Sequence, residues 1–276
     1  LYGDIAGFLS VSRVQMPQYF QLHGLWICAL SDRPPIKRLL HRALQFKGAE
    51  HVEEGPPTSD AVDITLDVSV NRDPASPSED ARHVEMTGHP ETGIWRTSER
   101  IVLYHEDATV DLQPQTGVAE AAIPPDWLAS GADRWPGSPL ASLVAISLAI
   151  LLRAQDWFPL HAAGLAHGGR GVLLTARSGS GKSTAALSLV RNGWGYVSDD
   201  TVLLRSEGDW VNAYSFRRNF CADPSLAAHF PELDGPEWPP ALSNASKWEV
   251  DPSQIYPGQA TAMCTPHLIV LPTLAD

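Results

Sequence analysis

Apolar and polar residues alternate along much of the chain before residue 126, and this alternation is typical of half-buried β-strands. The pattern is regular in Val62–Val70, where every second residue is apolar, and Tyr19–Leu30 is also predicted as a strand. Ile36–Phe46 instead has the spacing of an amphipathic helix, with Lys and Arg on one face. Short strand-like pieces with turns between them extend from His83 to Ile123, which favours an antiparallel meander. We therefore predict a β-rich N-terminal domain over residues 1–125.

After residue 125 the pattern changes to helices and strands in alternation, which indicates an α/β fold. Pro139–Leu152 is almost wholly apolar. This run is too short to span a bilayer, which takes about 20 residues, so we predict a helix buried against a sheet. Leu160–His167 and Val172–Thr175 are predicted as two strands joined by a glycine-rich turn. A second domain is therefore expected over residues 126–276.

A glycine-rich loop follows this hairpin and carries the most specific motif of the chain. Residues 176–184 read Ala-Arg-Ser-Gly-Ser-Gly-Lys-Ser-Thr and open a predicted helix, Lys182–Arg191. A strand, this loop and a helix in that order are the context of a phosphate-binding loop, in which backbone N–H groups and the helix start surround a polyphosphate. Lys182 is predicted to reach the β- and γ-phosphates, and the Ser183 hydroxyl to bind Mg²⁺. Ala176 replaces the usual first glycine, which is acceptable if its φ is negative; an ordinary glycine-rich turn is the alternative. The predicted nucleotide-binding residues are Ser178, Gly179, Ser180, Gly181, Lys182, Ser183 and Thr184.

Two carboxylates and one histidine flank the loop in the sequence. Asp199 and Asp200 end the predicted strand that follows the helix. Because ligands bind at the carboxyl ends of strands in open α/β sheets, both are expected beside the polyphosphate. One could hold Mg²⁺ and the other accept a proton from a hydroxyl; a solvated turn with a capping Asp is the alternative. His161 begins a strand, where a lone histidine is usually structural, so the residues alone leave its role open.

Composition narrows the classes of partner. The net charge of −12 argues against nucleic acid and anionic membranes as partners, because both need a basic surface. Cys28, Cys221 and Cys264 have no metal-type spacing, so we interpret them as buried, reduced thiols of a cytosolic protein. The first residues lack the pattern of a secretory signal, and a cytoplasmic location is the expectation.

His161, the loop and Asp199-Asp200 together resemble the catalytic core of HPr kinase/phosphorylase. The match is closer to the wider set of HPr-kinase-like proteins, which includes tailoring kinases of ribosomally made peptides such as lasso peptides. The firm resemblance covers about residues 138–215, and Lys247-Trp-Glu-Val-Asp-Pro is a looser match to a later motif. It implies an α/β fold with a P-loop kinase core of the HPr kinase / PEP carboxykinase type, preceded by the β-rich N-terminal region.

The resemblance also implies roles for individual residues. ATP and Mg²⁺ are the implied cofactors. Asp199 is similar to the residue that takes the proton of the acceptor hydroxyl and Asp200 to a metal-side carboxylate, with the two roles open to exchange. His161 is similar to the active-site histidine near the transferred phosphoryl. The family's later signature stretch, used for phosphorolysis and contact between subunits, is not found here, so neither phosphorylase activity nor HPr as substrate is implied; a homo-oligomer stays open.

The leading hypothesis is therefore a Mg²⁺- and ATP-dependent kinase that transfers the γ-phosphoryl to a hydroxyl, with a Ser of a peptide or protein as the favoured acceptor. A small-molecule kinase acting on free serine or a sugar alcohol, and a nucleotide-binding regulator with little turnover, are the alternatives. A PEP-carboxykinase-like lyase would need more metal ligands and basic residues than the sequence offers. Arg217, Arg218 and Lys247 are candidate substrate contacts, and a solvated or ion-paired surface is the alternative for each.

Overall fold

The computed structural model describes residues 16–70, 72–85, 92–129, 139–177, 179–217, 219–234, 237–241 and 244–272. Within these ranges the chain is a mixed α/β protein whose strands form four sheets, so the α/β class predicted from the sequence is confirmed. A nine-stranded sheet contains the strands before residue 123, and three smaller sheets contain those that follow.

The nine-stranded sheet has the order β3-β1-β2-β4-β9-β8-β7-β6-β5. Its last five strands pair antiparallel in sequence order, which confirms the predicted meander. The single strand predicted over Tyr19–Leu30 is wrong, because His23 and Gly24 adopt positive φ and turn the chain into a hairpin. The strands are β1 (Gln18–Leu22), β2 (Leu25–Leu30), β3 (Glu50–Val52), β4 (Ile64–Ser69), β5 (Arg82–Glu85), β6 (Thr92–Arg96), β7 (Ile101–His105), β8 (Ala108–Gln113) and β9 (Val118–Ala122).

Two helices share an apolar core with this sheet. α1 (Pro34–Phe46) lies between β2 and β3 in the chain, whereas α3 (Pro139–Ala154) comes after the short helix α2 (Pro125–Ala129). Eight residues of α3 are buried, so the helix predicted from the apolar run is confirmed. Trp157 and Phe216 belong to the same core. One core therefore joins the β-rich region to the segment after residue 125.

The remaining strands form two four-stranded sheets and one three-stranded sheet. The strand predicted over Leu160–His167 is divided by a bend at His161-Ala162, and its two halves join different sheets. The first sheet has the order β10 (Phe158–Leu160), β14 (Val202–Glu207), β15 (Trp210–Ser215), β19 (Met263–Cys264), and the second has the order β13 (Gly195–Ser198), β11 (Ala163–His167), β12 (Arg170–Leu174), β20 (Pro266–Val270). The third has the order β16 (Phe220–Ala222), β18 (Asn244–Val250), β17 (Pro240–Ala241). The helices of this part of the chain are α4 (Lys182–Arg191) and α5 (Pro252–Ile255).

Strand directions in the second of these sheets determine where the site lies. β11 runs antiparallel to both β12 and β13, so β12 and β13 run in the same direction. Their carboxyl ends therefore lie at one edge of the sheet, together with the amino end of β11. The glycine-rich loop leaves β12 at this edge, Asp199 and Asp200 follow β13 there, and His161 precedes β11 there.

The structure also bears on two expectations drawn from composition. Cys28, Cys221 and Cys264 are buried, as predicted, and no disulfide joins any of the three. Among the helices of the described ranges, none is both long and apolar enough to cross a membrane.

Candidate active site

The glycine-rich loop turns back into α4 through two glycines in the left-handed region. Gly179 has φ 81° and Gly181, the residue before α4, has φ 82°. A Cβ at Gly179 would meet nothing within 4 Å, so the loop needs glycine there for its backbone conformation rather than for space. Ala176 is not among the described residues with positive φ, so the alanine fits the loop without strain. Ser178, a predicted phosphate contact, lies outside the described residues.

Lys182 brings together three segments that are distant in sequence. Its side chain is nearly buried at the start of α4. The Nζ atom lies 3.0 Å from Nε2 of His161 and donates a hydrogen bond to Oδ1 of Asp200 at 3.1 Å. The His161 backbone is fixed in turn, because its carbonyl accepts a hydrogen bond from the Thr175 hydroxyl at 3.0 Å. The lysine, the histidine and the aspartate predicted from sequence therefore meet at one point.

Asp199 is fully buried behind the start of α4. Oγ of Ser183 lies 3.1 and 3.2 Å from its two carboxylate oxygens, and the Cys221 amide donates to Oδ2 at 3.1 Å. Burial raises the pKa of Asp199 above its ordinary value, and the Arg217 charge and the Cys221 amide only partly oppose that rise. Asp199 therefore accepts a hydrogen bond from the Ser183 hydroxyl, the group that the loop motif assigns to Mg²⁺, and it is not exposed to solvent.

Asp200 differs from Asp199 in exposure, charge and backbone conformation. Its side chain is 40% exposed, and its φ of 69° places it in the left-handed region. Few residues other than glycine adopt this conformation, although Asp is among the more tolerant, and such strain often marks a functional position. Burial acts to raise the pKa of Asp200, but the charges of Lys182, Arg217 and His161 outweigh it and lower that pKa. Asp200 is therefore an ionised carboxylate that faces the cleft.

Arg217 lies where the sequence did not place it. We expected it in a substrate groove or on an ion-paired surface, but its side chain is only 4% exposed. NH1 donates to Oδ2 of Asp200 at 3.2 Å, NH2 donates to Sγ of Cys221, and the guanidinium carbon lies 4.5 Å from the centroid of the Phe46 ring. Arg217 is therefore a buried cation behind Asp200. Arg218 lies outside the described residues.

Lys47 is a second cation on the same side of Asp200. Its Nζ lies 4.9 Å from the centroid of the Phe216 ring. Burial and the Arg217 charge lower the pKa of Lys47 to about 8, although Asp200 partly opposes them. Folding therefore works against the charge on Lys47 at neutral pH.

Replacing Lys47 by Met is expected to stabilise the protein in a pH-dependent way. Below pH 8 the wild type carries the unfavourable charge, so Lys47→Met should raise the free energy of unfolding by about 1–2 kcal/mol. The gain should shrink as pH rises from about 8 towards 10.5, the ordinary lysine value, because the folded wild type then loses its proton first. Urea unfolding at pH 7 and pH 10 measures this difference. A pH-independent gain, or a gain shared by Lys37→Met on α1, would contradict the explanation.

A cleft of about 320 Å³ lies over these residues. The loop, His161 and Asp200 line it together with Asp223, which follows β16, and Lys247, which belongs to β18. The pKa of Asp223 is lowered mainly by the hydrogen bonds that its carboxylate accepts from Ser225, and the nearby charge of Lys247 lowers it further. Lys247, unlike Arg217, is therefore placed where a candidate substrate contact was expected. The lining residues are His161, Arg177, Gly179, Gly181, Lys182, Ser183, Thr184, Asp200, Cys221, Asp223, Ser225, Leu226 and Lys247.

Ser183 in the cleft and Asp199 directly behind it suit Mg²⁺ bound together with a polyphosphate. Within the described ranges, no cluster of three or more His, Cys, Asp and Glu side chains could hold a metal ion alone. Mg²⁺ in nucleotide sites commonly uses one or two protein oxygens, with phosphates and waters as the other ligands. The Ser183 hydroxyl and the Asp199 carboxylate, already in contact, are such a pair. The donor set therefore fits Mg²⁺ with a nucleotide.

Two structural contributors were missed by the sequence reasoning. Phe46 belongs to a helix interpreted only as part of the N-terminal domain, and Cys221 was interpreted only as a buried thiol. Neither lies near the motif in sequence. Arg217 links Phe46 to the site, whereas Cys221 contacts both Arg217 and Asp199. An aromatic residue at the end of an amphipathic helix gives no sequence signal for such a role.

Comparison with known proteins locates the similarity in one segment. No family model matches the chain. HPr kinase/phosphorylase of Chlorobium luteolum is 43% identical over 67 residues, and those of Chlorobium limicola and Chlorobaculum tepidum are 45% and 40% identical over the same length. The match covers 24% of this chain, and the chain spans 18% of the length of these curated relatives.

The HPr(Ser) kinase/phosphatase of Coxiella burnetii is 18% identical over 40% of this chain and 62% of that structure, with a TM-score of 0.31; that value is too low to carry an argument. Over the matched segment, the chain is HPr-kinase-like.

Proposed function

We propose that this chain is a Mg²⁺- and ATP-dependent kinase that transfers the γ-phosphoryl group to a hydroxyl, with a Ser of a peptide or protein as the favoured acceptor. The observation that carries the proposal is the meeting of Lys182, His161 and Asp200 at the cleft beside the glycine-rich loop. Mere nucleotide binding requires a cation and the loop, but it does not require an ionised carboxylate that faces the cleft. Phosphoryl transfer to a hydroxyl uses all of these groups.

The loop and the start of α4 would bind the phosphates. The backbone N–H groups at the start of a helix point towards an anion and carry partial positive charge there. Lys182 would add a full charge to the β- and γ-phosphates, where negative charge builds up during transfer. Ser183 and Asp199 would hold Mg²⁺, which when bound neutralises further phosphate charge.

The two aspartates would have the roles opposite to those first implied by resemblance. Asp199 contacts Ser183 and has no exposed surface, which favours it as the metal-side carboxylate. Asp200 is ionised and faces the cleft, which favours it as the proton acceptor. In the transfer step the acceptor oxygen would bond to the γ-phosphorus while its proton passes to Asp200. The bond from the γ-phosphorus to the bridging oxygen breaks, and ADP leaves.

His161 and Lys247 would complete the site. His161 lies between Lys182 and Asp200, with Nδ1 3.4 Å from the carboxylate, and would orient both around the transferred group. Lys247, which also lines the cleft, would contact the acceptor molecule. The division into domains 1–125 and 126–276 remains part of the proposal, as does association into a homo-oligomer.

Mass spectrometry of acceptors incubated with the protein and Mg²⁺-ATP tests the proposal. Peptides encoded by neighbouring genes should gain one phosphate on a Ser, with ADP formed in step, and omission of Mg²⁺ should abolish both. Phosphorylation of free serine with no modified peptide would favour the small-molecule kinase instead. Tight ATP binding with no modified acceptor of either kind would contradict the kinase and favour the nucleotide-binding regulator.

A further inference from the structure

We infer that Phe46, at the end of α1, is a positioning residue of the site: its ring holds the Arg217 guanidinium against Asp200. This inference rests on the proposed function, because it assigns a role to Asp200 in transfer. It extends the site to α1, outside the residues 138–215 that carry the resemblance in sequence. The β-rich region then contributes directly to the geometry of the carboxylate that meets the acceptor.

Arg217 is held by contacts on its face and along its edge. The Phe46 ring covers the guanidinium face at 4.5 Å. Along the edge, NH1 donates to Asp200 and NH2 donates to Cys221. A cation stacked on an aromatic ring away from water is attracted more strongly than one at the surface, and this guanidinium is almost fully buried. Removing the ring would take away the contact on the guanidinium face.

The backbone around Arg217 is fixed from the opposite side, so the ring governs the side chain alone. The Arg217 amide donates to Ser198 Oγ at 3.0 Å, and the Arg217 carbonyl accepts from the Asp199 amide at 3.3 Å. The N-terminal hairpin meets the same segment, because Nε2 of His23 lies 2.5 Å from the Ser215 carbonyl oxygen. The segment from Ser215 to Arg217 therefore lies between the N-terminal region and the two aspartates.

Core packing alone does not account for Phe46. Its neighbours Ala43 and Leu44 belong to the large apolar core, whereas Phe46 is in none of the three buried clusters and is only half-buried. Its ring contacts two cations: the guanidinium of Arg217 and, at 5.8 Å, Nζ of the adjacent Lys47. The contact with Arg217 joins Phe46 to the charged groups beside Asp200.

The contacts of Asp200 link Phe46 to the transfer step. Oδ1 of Asp200 accepts a hydrogen bond from Lys182 and lies 3.4 Å from Nδ1 of His161, whereas Oδ2 accepts a hydrogen bond from NH1 of Arg217. The carboxylate is therefore held through both of its oxygens. A displaced guanidinium would release Oδ2, and the carboxylate would no longer keep one orientation towards the acceptor hydroxyl.

The test compares Phe46→Leu, which keeps apolar bulk but removes the ring face, with Phe46→Tyr, which keeps both. Leu44→Ala is the matched control, because it weakens the same helix in the core without touching Arg217. The readouts are kcat, the KM for ATP, and the distance from Arg217 NH1 to Asp200 Oδ2 in the crystal structure of each variant.

Phe46→Leu should lengthen the distance from Arg217 NH1 to Asp200 Oδ2 beyond hydrogen-bond range, lower kcat about tenfold, and leave the KM for ATP within about twofold. Phe46→Tyr should keep the wild-type values, and Leu44→Ala should lower stability without lengthening that distance. An unchanged contact between Arg217 and Asp200 in Phe46→Leu, or an equal displacement in Leu44→Ala, would overturn the inference. If the wild type transfers no phosphate, the proposed function fails, while the crystal structures still decide the role of Phe46.

Discussion

Lys182→Ala is expected to abolish both nucleotide binding and phosphoryl transfer. The Lys182 ammonium group contacts both His161 and Asp200 at the end of the loop. Its removal therefore takes away the positive charge that would meet the phosphates. It also leaves the Asp200 carboxylate facing them without that counter-charge. The loss of kcat/KM should reach at least about 10³-fold, which is the scale for removing one preorganised charge at a developing anion. Calorimetry with Mg²⁺-ATP and a transfer assay measure the two effects.

Lys37→Ala is the control for this substitution. Lys37 lies on α1, and its ammonium donates to the Met16 carbonyl in an exposed contact, so the variant changes the net charge equally but away from the cleft. It should bind nucleotide and transfer phosphate as the wild type does. Retained ATP affinity in Lys182→Ala would contradict the assignment of residues 176–184 as the phosphate site.

Asp199→Asn and Asp200→Asn should impair the protein in two different ways. Asp199 contacts the Ser183 hydroxyl, so its replacement should raise the Mg²⁺ concentration needed for half-maximal activity by at least about tenfold. Asp200 faces the cleft, so its replacement should lower kcat by about 10²–10⁴-fold, the range for a lost general base. Asp200→Asn should leave the Mg²⁺ requirement and the nucleotide affinity nearly unchanged. Titrating activity against Mg²⁺ and ATP for both variants separates these effects.

The opposite pattern would restore the assignment implied by family resemblance. In that case Asp199→Asn would lose turnover with a normal Mg²⁺ requirement, and Asp200→Asn would need more Mg²⁺. Equal loss of both properties in both variants would mean that the carboxylates act as one unit, and the separate roles would be rejected.

The parts of the site that lie within a short motif are the parts that the sequence predicted. The loop, its helix and the Asp199-Asp200 pair are local in sequence, because turn glycines, a helix start and a strand end each have a recognisable pattern. The position of the two aspartates beside the loop was expected because both follow a strand, and ligands bind at the carboxyl ends of strands in open α/β sheets. His161 was found through resemblance to a family, since a single histidine on a strand has no distinctive pattern.

What the sequence did not predict depends on contacts between distant segments. Arg217 is buried because it follows β15 and lies between α1 and the two aspartates. No local sequence pattern predicts that placement. Asp199 and Asp200 likewise differ in solvent exposure, and the identities of two neighbouring residues do not predict which of them is buried. The turn at His23-Gly24 was missed because a short apolar run around it continues on both sides. The break between Leu160 and Ala163 was hidden for the same reason.

Transfer from ATP labelled with ¹⁸O in the γ-phosphoryl group tests the central claim most directly. Wild-type protein, Mg²⁺ and acceptor should yield acceptor phosphate that carries the labelled oxygens, together with an equal amount of ADP. Asp200→Asn, measured at equal nucleotide occupancy and over the same time, should yield at most about a hundredth of either product. Labelled inorganic phosphate with an unmodified acceptor, or equal transfer by wild type and Asp200→Asn, would contradict a kinase that uses this carboxylate to activate a hydroxyl.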